Sequence, residues 1–197
     1  GENVRTVTED TRNRDVLYLG TETGIFLSLD RGASWRRLKG NLPTVRVDEL
    51  TIHPRDNALL VATHGRALWV LDHLEPIQEF NAIKGKGSQL VTPGFTLQWR
   101  AKDDRNDEFW GHQFFTGENP PLEAVIPMWL DAPLTNGVLR IADAGGRTVR
   151  ELPIPASRNT AGLQMMCWDQ RVEPITPLPA RRPGGGVGGP GGPGGPG

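Results

Sequence analysis

The chain has 197 residues and is poor in the residue types that most often announce chemistry. Cys167 is its single cysteine, which excludes an internal disulfide and a zinc cluster built on thiolates. Tyr18 is the single tyrosine, and there are four histidines. Neither sign of charge prevails, because 22 basic and 23 acidic residues leave a formal net charge of -1. With no basic run to follow a phosphate backbone, nucleic acid is not an expected partner. No apolar run approaches the roughly 20 residues that a membrane-spanning helix needs, and no signal peptide is visible. The chain opens at Gly1 rather than at a methionine, so it is expected to be a piece of something longer, and its start says nothing about secretion.

What the chain has in quantity is turn residues, with 25 glycines and 17 prolines. Over residues 1–76 they separate short stretches of β-formers. Val16 to Gly20 and Gly24 to Ser28 read as strands, with Thr21-Glu22-Thr23-Gly24 turning between them. The stretch Ser28-Leu29-Asp30-Arg31-Gly32-Ala33-Ser34-Trp35 follows. Its residue types have a joint physical reading. An Asp carboxylate accepts hydrogen bonds from the amides that follow it, and Gly tolerates positive φ. Ser28 and Ser34 can brace such a turn, and Trp35 opens the next strand with a large ring that needs burial.

The chain then repeats itself. Leu17 to Thr21 matches Leu59 to Thr63, and Phe26 to Asp30 matches Leu68 to Asp72, both at an offset of 42. Upstream, Val7 to Asp10 matches Leu50 to His53 at an offset of 43. This spacing lies within the roughly 40–45 residues of a four-stranded propeller blade. In the second unit His73-Leu74-Glu75-Pro76 stands where the Gly and Trp of the turn would be, as in an atypical terminal repeat. Leu71 to Pro76 therefore reads as the exit from the repeats.

Ser28 to Trp35 fits S-x-D-x-G-x-[ST]-W at every fixed position and resembles the Asp-box, the hairpin signature of bacterial neuraminidase (BNR) repeats and sortilin-type propellers. Residues 20–77 as a whole look like the closing blades of large bacterial BNR-repeat proteins labelled glycosyl hydrolases or sortilin-like. The echoes are Gly40-Asn41-Leu42-Pro43, Ile52-His53-Pro54-Arg55-Asp56, Thr63-His64-Gly65-Arg66 and Trp69-Val70-Leu71-Asp72. The resemblance implies an extracellular or periplasmic protein. It also implies a glycosidase test, residue by residue. Sialidases of this kind use an arginine triad and a tyrosine nucleophile paired with a glutamate. Tyr18 alternates with Leu17 and Leu19 inside an apolar strand, which suits packing and not attack, and no arginine triad can be assigned. No catalytic residue, cofactor or metal is expected in this chain.

The remaining site candidates are binding residues. His64-Gly65-Arg66 sits in the turn after a strand, where loops gather at one face of a propeller, and His with Arg suits an anionic or carbohydrate partner. The competing reading is that Gly65 sets the turn while both side chains serve the backbone. Glu22 occupies the corresponding turn of the first unit. Trp110 lies in the aromatic run Phe109 to Phe115, which reads as a packed loop or as a carbohydrate-stacking platform. Before it, Asp103-Asp104-Arg105-Asn106-Asp107-Glu108 offers oxygen ligands for calcium, but its spacing is not that of an EF-hand and a solvated loop is the simpler reading.

Residues 77–116 read as a strap or linker, with Phe95 to Trp99 alternating like a half-buried strand. Residues 117–176 read as a second β domain. Its strands are Ala124 to Leu130, Gly137 to Asp143, Arg147 to Leu152 and Gly162 to Asp169, with Ala144-Gly145-Gly146 as a hairpin turn. That pattern resembles the immunoglobulin-like domain of flagellar hook-capping proteins, although four or five strands fall short of the about seven that such a sandwich needs. Residues 177–197 are Pro- and Gly-rich and are expected to be disordered. The expectation is thus all-β: the last two propeller blades, a strap and a partial immunoglobulin-like domain. Its function is expected to be non-catalytic scaffolding that binds protein or carbohydrate ligands. The alternative is the C-terminal part of a sialidase-like glycoside hydrolase whose catalytic residues lie in upstream blades.

Overall fold

The computed structural model describes residues 2–98 and 121–173. The described residues are mostly β-strand, in antiparallel sheets, with a few single-turn helices. The first sheet runs β1 (Val4–Glu9), β2 (Leu17–Thr21), β3 (Ile25–Ser28) and β4 (Arg36–Arg37) in sequential order. The second runs β5 (Val47–His53), β6 (Ala58–Thr63) and β7 (Leu68–Leu71).

The two sheets repeat one another down to their irregularities. The β1–β2 ladder slips between Val4 and Thr6, and the β5–β6 ladder slips between Val47 and Glu49, the same place 43 residues on. The following turns are closed alike: the Asn13 amide donates to Asp10 Oδ1 at 3.0 Å, and the Asp56 amide donates to His53 Nδ1 at 3.3 Å. One part of the sequence comparison needs correction. Phe26 pairs with Leu19, and Trp69, not Leu68, pairs with Val61, so the third strands correspond at an offset of 43. The turn between Ala62 and Leu68 holds one residue more than that between Gly20 and Ile25. An insertion of one residue reverses which side chains face which side, because strand side chains alternate.

With that register, the front of the first sheet (Tyr18, Gly20, Ile25, Leu27) meets the rear of the second (Leu50, Leu59, Val61, Trp69) in one apolar core. Tyr18 and Leu59 are fully buried there. Gly20 is a matter of space: a Cβ at this position would lie 2.6 Å from Thr6 Cγ2 and 2.9 Å from Val47 Cγ1. Across the same seam Thr8 Oγ1 donates to the Leu50 carbonyl at 2.7 Å.

After β7 the chain does not leave as a strap. His73 adopts φ 59°, and the chain then forms α1 (Glu75–Gln78) and α2 (Phe80–Ile83), with Pro76 in the first turn of α1 where its missing N–H costs nothing. Leu74, Glu75 and Gln78 are buried. The Gln78 amide nitrogen donates to Asp10 Oδ2 at 2.9 Å and to Asn57 Oδ1 at 2.8 Å, while Asn57 Nδ2 donates to Gln78 Oε1 at 3.0 Å. The helix is therefore pinned to the first turn of both sheets. The expected strap from residue 77 is packed structure instead in its first part: Ile77 packs against the first core beside the buried Leu74, Ile83 is buried, and the Gln78 bonds fix the turn between them. The expected strand at 95–99 is also absent from its described part: residues 95–98 are irregular, and Phe95 is 91 % exposed.

The second body is a sheet in the order β12 (Gly162–Trp168), β9 (Ala124–Leu130), β8 (Gln89–Leu90), with the hairpin β10 (Val138–Ala142) and β11 (Thr148–Pro153) beside it. Ile126, Met128, Leu130, Leu139 and Met166 form its core. The hairpin turn is closed by Asp143, whose Oδ1 accepts from the Gly145 and Arg147 amides at 3.0 and 2.9 Å, and Gly146 supplies φ 80°. At the other end Arg171 lies 4.0 Å from Asp169, and Trp168 Nε1 donates to the Arg171 carbonyl. Phe80 of α2 meets Trp129 of β9 edge to face, with ring centroids 5.8 Å apart.

Candidate functional site

The turn from Ser28 to Trp35 is built by its own side chains. Asp30 Oδ1 accepts from the Ser34 amide and from Ser28 Oγ, each at 2.8 Å, and Ser34 Oγ donates to Asp30 Oδ2 at 2.5 Å. Ser28 Oγ in turn accepts from the Gly32 amide at 2.8 Å. These donors, the Ser34 side chain first, hold the Asp30 carboxyl below its ordinary value. Gly32 sits at φ 88°, and Trp35 lies half-buried over it, with Cζ2 3.5 Å from where a Cβ would be. Both carboxylate oxygens of Asp30 are thus engaged within the turn, and the arrangement shapes a hairpin.

Glu22 and His64 occupy equivalent positions, each directly after the second strand of its unit. Glu22 is paired with Arg5 on β1. His64 lies beside Arg46 and Asp48: Arg46 Nη2 is 2.5 Å from His64 Nδ1, Asp48 Oδ2 is 3.3 Å from the same nitrogen, and Arg46 Nε is 2.7 Å from Asp48 Oδ1. A guanidinium only donates, so Nδ1 accepts from it and the proton of a neutral His64 sits on Nε2. The Arg46 guanidinium holds the Asp48 carboxyl below its ordinary value. The His64 side chain is 67 % exposed.

Backbone geometry presents this group. The His64 amide donates to the Arg46 carbonyl at 2.9 Å, extending the β5–β6 ladder one step past Val47 and Thr63. Gly65 and Ala67 then take φ 76° and 63°, and Trp69 Nε1 donates to the Arg66 carbonyl at 2.8 Å. Arg66 is exposed in the same turn, so His64 and Arg66 are brought together, whereas Glu22 belongs to the other unit with its own partner. Trp110 and the acidic run at 103–108 lie outside the described residues. Arg46 and Asp48 were missed by the reading of residues alone. The signal for them was the repeat itself, since aligning Val47 with Val4 brings Arg46 and Asp48 alongside the His64 turn.

The cluster of one imidazole, the Arg46 guanidinium and the Asp48 carboxylate, with Arg66 exposed in the adjoining turn, suits an anionic or polyhydroxylic group. Tyr18 is fully buried and its hydroxyl donates to Asp10 Oδ2 at 3.1 Å; burial, with the Asp10 carboxylate after it, pushes the phenol far above its ordinary value. Among the described residues no group of three or more His, Cys, Asp or Glu side chains is placed to hold a metal ion, and no helix is long and apolar enough to cross a membrane. A cleft of about 100 Å³ between Ile25, Leu38, Leu42, Val61 and Trp69 belongs to the apolar seam between the sheets and carries no converging charges. Comparison with protein-family models, with curated proteins and with solved structures finds no match to this chain.

Proposed function

We propose that the chain is the closing part of a BNR or sortilin-like β-propeller, followed by a partial immunoglobulin-like domain, and that it acts as a non-catalytic scaffold binding a protein or glycan ligand through the His64 turn. The observation that carries this reading is the repeat of two sheets with the same bulge, the same turn closure and the same position, directly after the second strand, for Glu22 and His64. A scaffold that repeats its frame while varying its turn side chains is how propellers diversify binding without altering the fold. The burial of Tyr18 against Asp10 supports the non-catalytic half of the proposal. Extracellular or periplasmic location belongs to the same proposal.

The test is a glycan-array screen of the protein beside a His64→Ala/Arg66→Ala variant, both checked for unchanged thermal midpoint. Glycan binding that the double substitution abolishes supports the ligand site. Binding that survives the substitution moves the site elsewhere. A blank array together with a protein ligand captured by the parent and lost by the variant selects the protein class. A chain that cleaves the arrayed glycans overturns the scaffold reading.

A further inference from the structure

The repeat brings the same two positions together twice and fills them with opposite chemistry. Val4 pairs with Thr21 and Val47 with Thr63, so Arg5 and Glu22 in the first unit correspond to Asp48 and His64 in the second. Arg5 and Glu22 are bonded as guanidinium and carboxylate, a type of pair that keeps its charges through the neutral range. In the second unit the strand carries the carboxylate and the turn carries an imidazole, the side chain that ordinarily changes charge between about pH 5 and 8. A further guanidinium, Arg46, stands beside them where the first unit has Asn3.

Arg46 Nη2 donates to His64 Nδ1 at 2.5 Å and to Asp48 Oδ2 at 3.3 Å, and the same Asp48 oxygen lies 3.3 Å from His64 Nδ1. The three groups satisfy one another only while His64 is neutral, because a guanidinium has no lone pair to offer and Nδ1 must accept. A proton on Nδ1 turns that acceptor into a donor. It then faces a cation that repels it and a carboxylate that attracts it. Among the described residues these are the charged groups within bonding reach of the His64 ring, and Arg66 is exposed in the same turn.

We propose that protonation of His64 moves Nδ1 from Arg46 to Asp48 and turns Arg46 Nη2 outward, where it joins Arg66 and the imidazolium Nε2–H in holding an oxyanion such as sulfate. Arg46 stays tethered through Nε, 2.7 Å from Asp48 Oδ1. The proton comes from solvent and returns there as pH rises, and no other bond is made or broken. It adds one positive charge to a group in which Arg46 and Asp48 otherwise balance, and it frees part of a guanidinium fork, which matches oxyanion geometry. By linkage, an anion that prefers the protonated state also raises the proton affinity of His64. The switch rests on the reading of the His64 turn as the ligand site and adds to it the charge of the ligand and the condition for binding.

Calorimetric titration of the full chain with sodium sulfate at constant ionic strength tests it. Affinity is expected to rise at least about fivefold on going from about pH 8 to about pH 5.5. His64→Gln, which cannot take the proton, is expected to bind weakly and equally at both. By NMR, the neutral His64 ring is expected to carry its proton on Nε2, and its titration midpoint is expected to rise when sulfate is added. A sulfated disaccharide titrated beside its unsulfated form shows whether the anion is carried on a saccharide, which then binds more tightly than the free ion. Sulfate binding that is flat with pH and lost in His64→Ala/Arg66→Ala overturns the switch and keeps the ligand site. Binding that survives the double substitution overturns both. No sulfate binding at either pH, or a neutral ring protonated on Nδ1, overturns the switch and leaves the site to uncharged ligands. Thermal midpoints show that each variant is folded, and the NMR readouts need no variant.

Discussion

Asp30 shows how a single carboxylate organises eight residues. Its two oxygens take the Ser34 amide and hydroxyl and the Ser28 hydroxyl, and those donors favour the ionised form, which places its folded value below its unfolded one. The sign of the pH dependence follows. A carboxyl depressed on folding stabilises the fold fully above its ordinary value of about 4, and that stabilisation is lost as pH falls through the lower folded value. The same direction applies to Asp48 and Asp56, which are lowered by Arg46 and Arg55 respectively. Urea midpoints measured at neutral pH and near pH 3 are expected to fall on acidification, and to fall less in Asp30→Asn than in the parent. An equal fall in both would place the acid sensitivity elsewhere. The residue types of this turn declare their roles without a structure, because every contact is made within a few residues of the chain. The same is true of His64 and Arg66 as turn residues. It is not true of Arg46 and Asp48, which reach His64 only when β5 pairs with β6.

At the scale of elements, burial is decided by what lies opposite. Gly20 and Ala62 hold the same place in β2 and β6. Gly20 has Val47 against it, with the Val47 carbonyl 3.1 Å from any added Cβ, and a methyl group there must displace β5 backbone or Thr6. Gly20→Ala is expected to destabilise by about 1–3 kcal/mol, the usual range for overpacking a filled core. Ala62→Gly, on the half-buried front of the second sheet, is expected to cost no more than about 1 kcal/mol, the backbone-entropy term alone. Denaturant unfolding of the two variants measures the difference, and equal costs would mean that the seam at Gly20 is not close-packed. This pairwise dependence also sets what could be read in advance. The strands β2, β9, β10 and β12 were legible because β-formers run between turn residues. The helices α1 and α2 were not, since each is a single turn, too short for the three-residue spacing of Leu74, Ile77, Phe80 and Ile83 to declare it, and Gln78 is held by Asp10 and Asn57, distant in sequence. The offset of β7 was misread by one because similarity of residue types cannot see the extra residue in the turn before it.

Over the whole molecule, two apolar cores are built from separate stretches of chain, one around Tyr18, Leu59 and Val61, the other around Met128, Leu139 and Met166. The elements between them are the short helices, which bond to the first core through Gln78 and touch the second through the Phe80–Trp129 contact. Two cores joined by so slender a bridge should open independently, because local unfolding follows the density of shared apolar contacts. Leu139 is buried at 7 % exposure, packs only within the second core, and its truncation to Ala removes most of a buried side chain. Leu139→Ala is expected to weaken that core by about 2–4 kcal/mol. Native-state hydrogen exchange reads where the loss falls. Amides of Ala124–Leu130 and Gly162–Trp168 are expected to lose protection, while those of Leu17–Thr21 and Ala58–Thr63 keep theirs. If protection falls equally in all four strands, the chain unfolds as one unit and the Phe80 contact couples the cores more tightly than its size implies. Phe80→Ala combined with Leu139→Ala then decides the matter, since removal of the coupling restores protection to β2 and β6 only if that contact carries it.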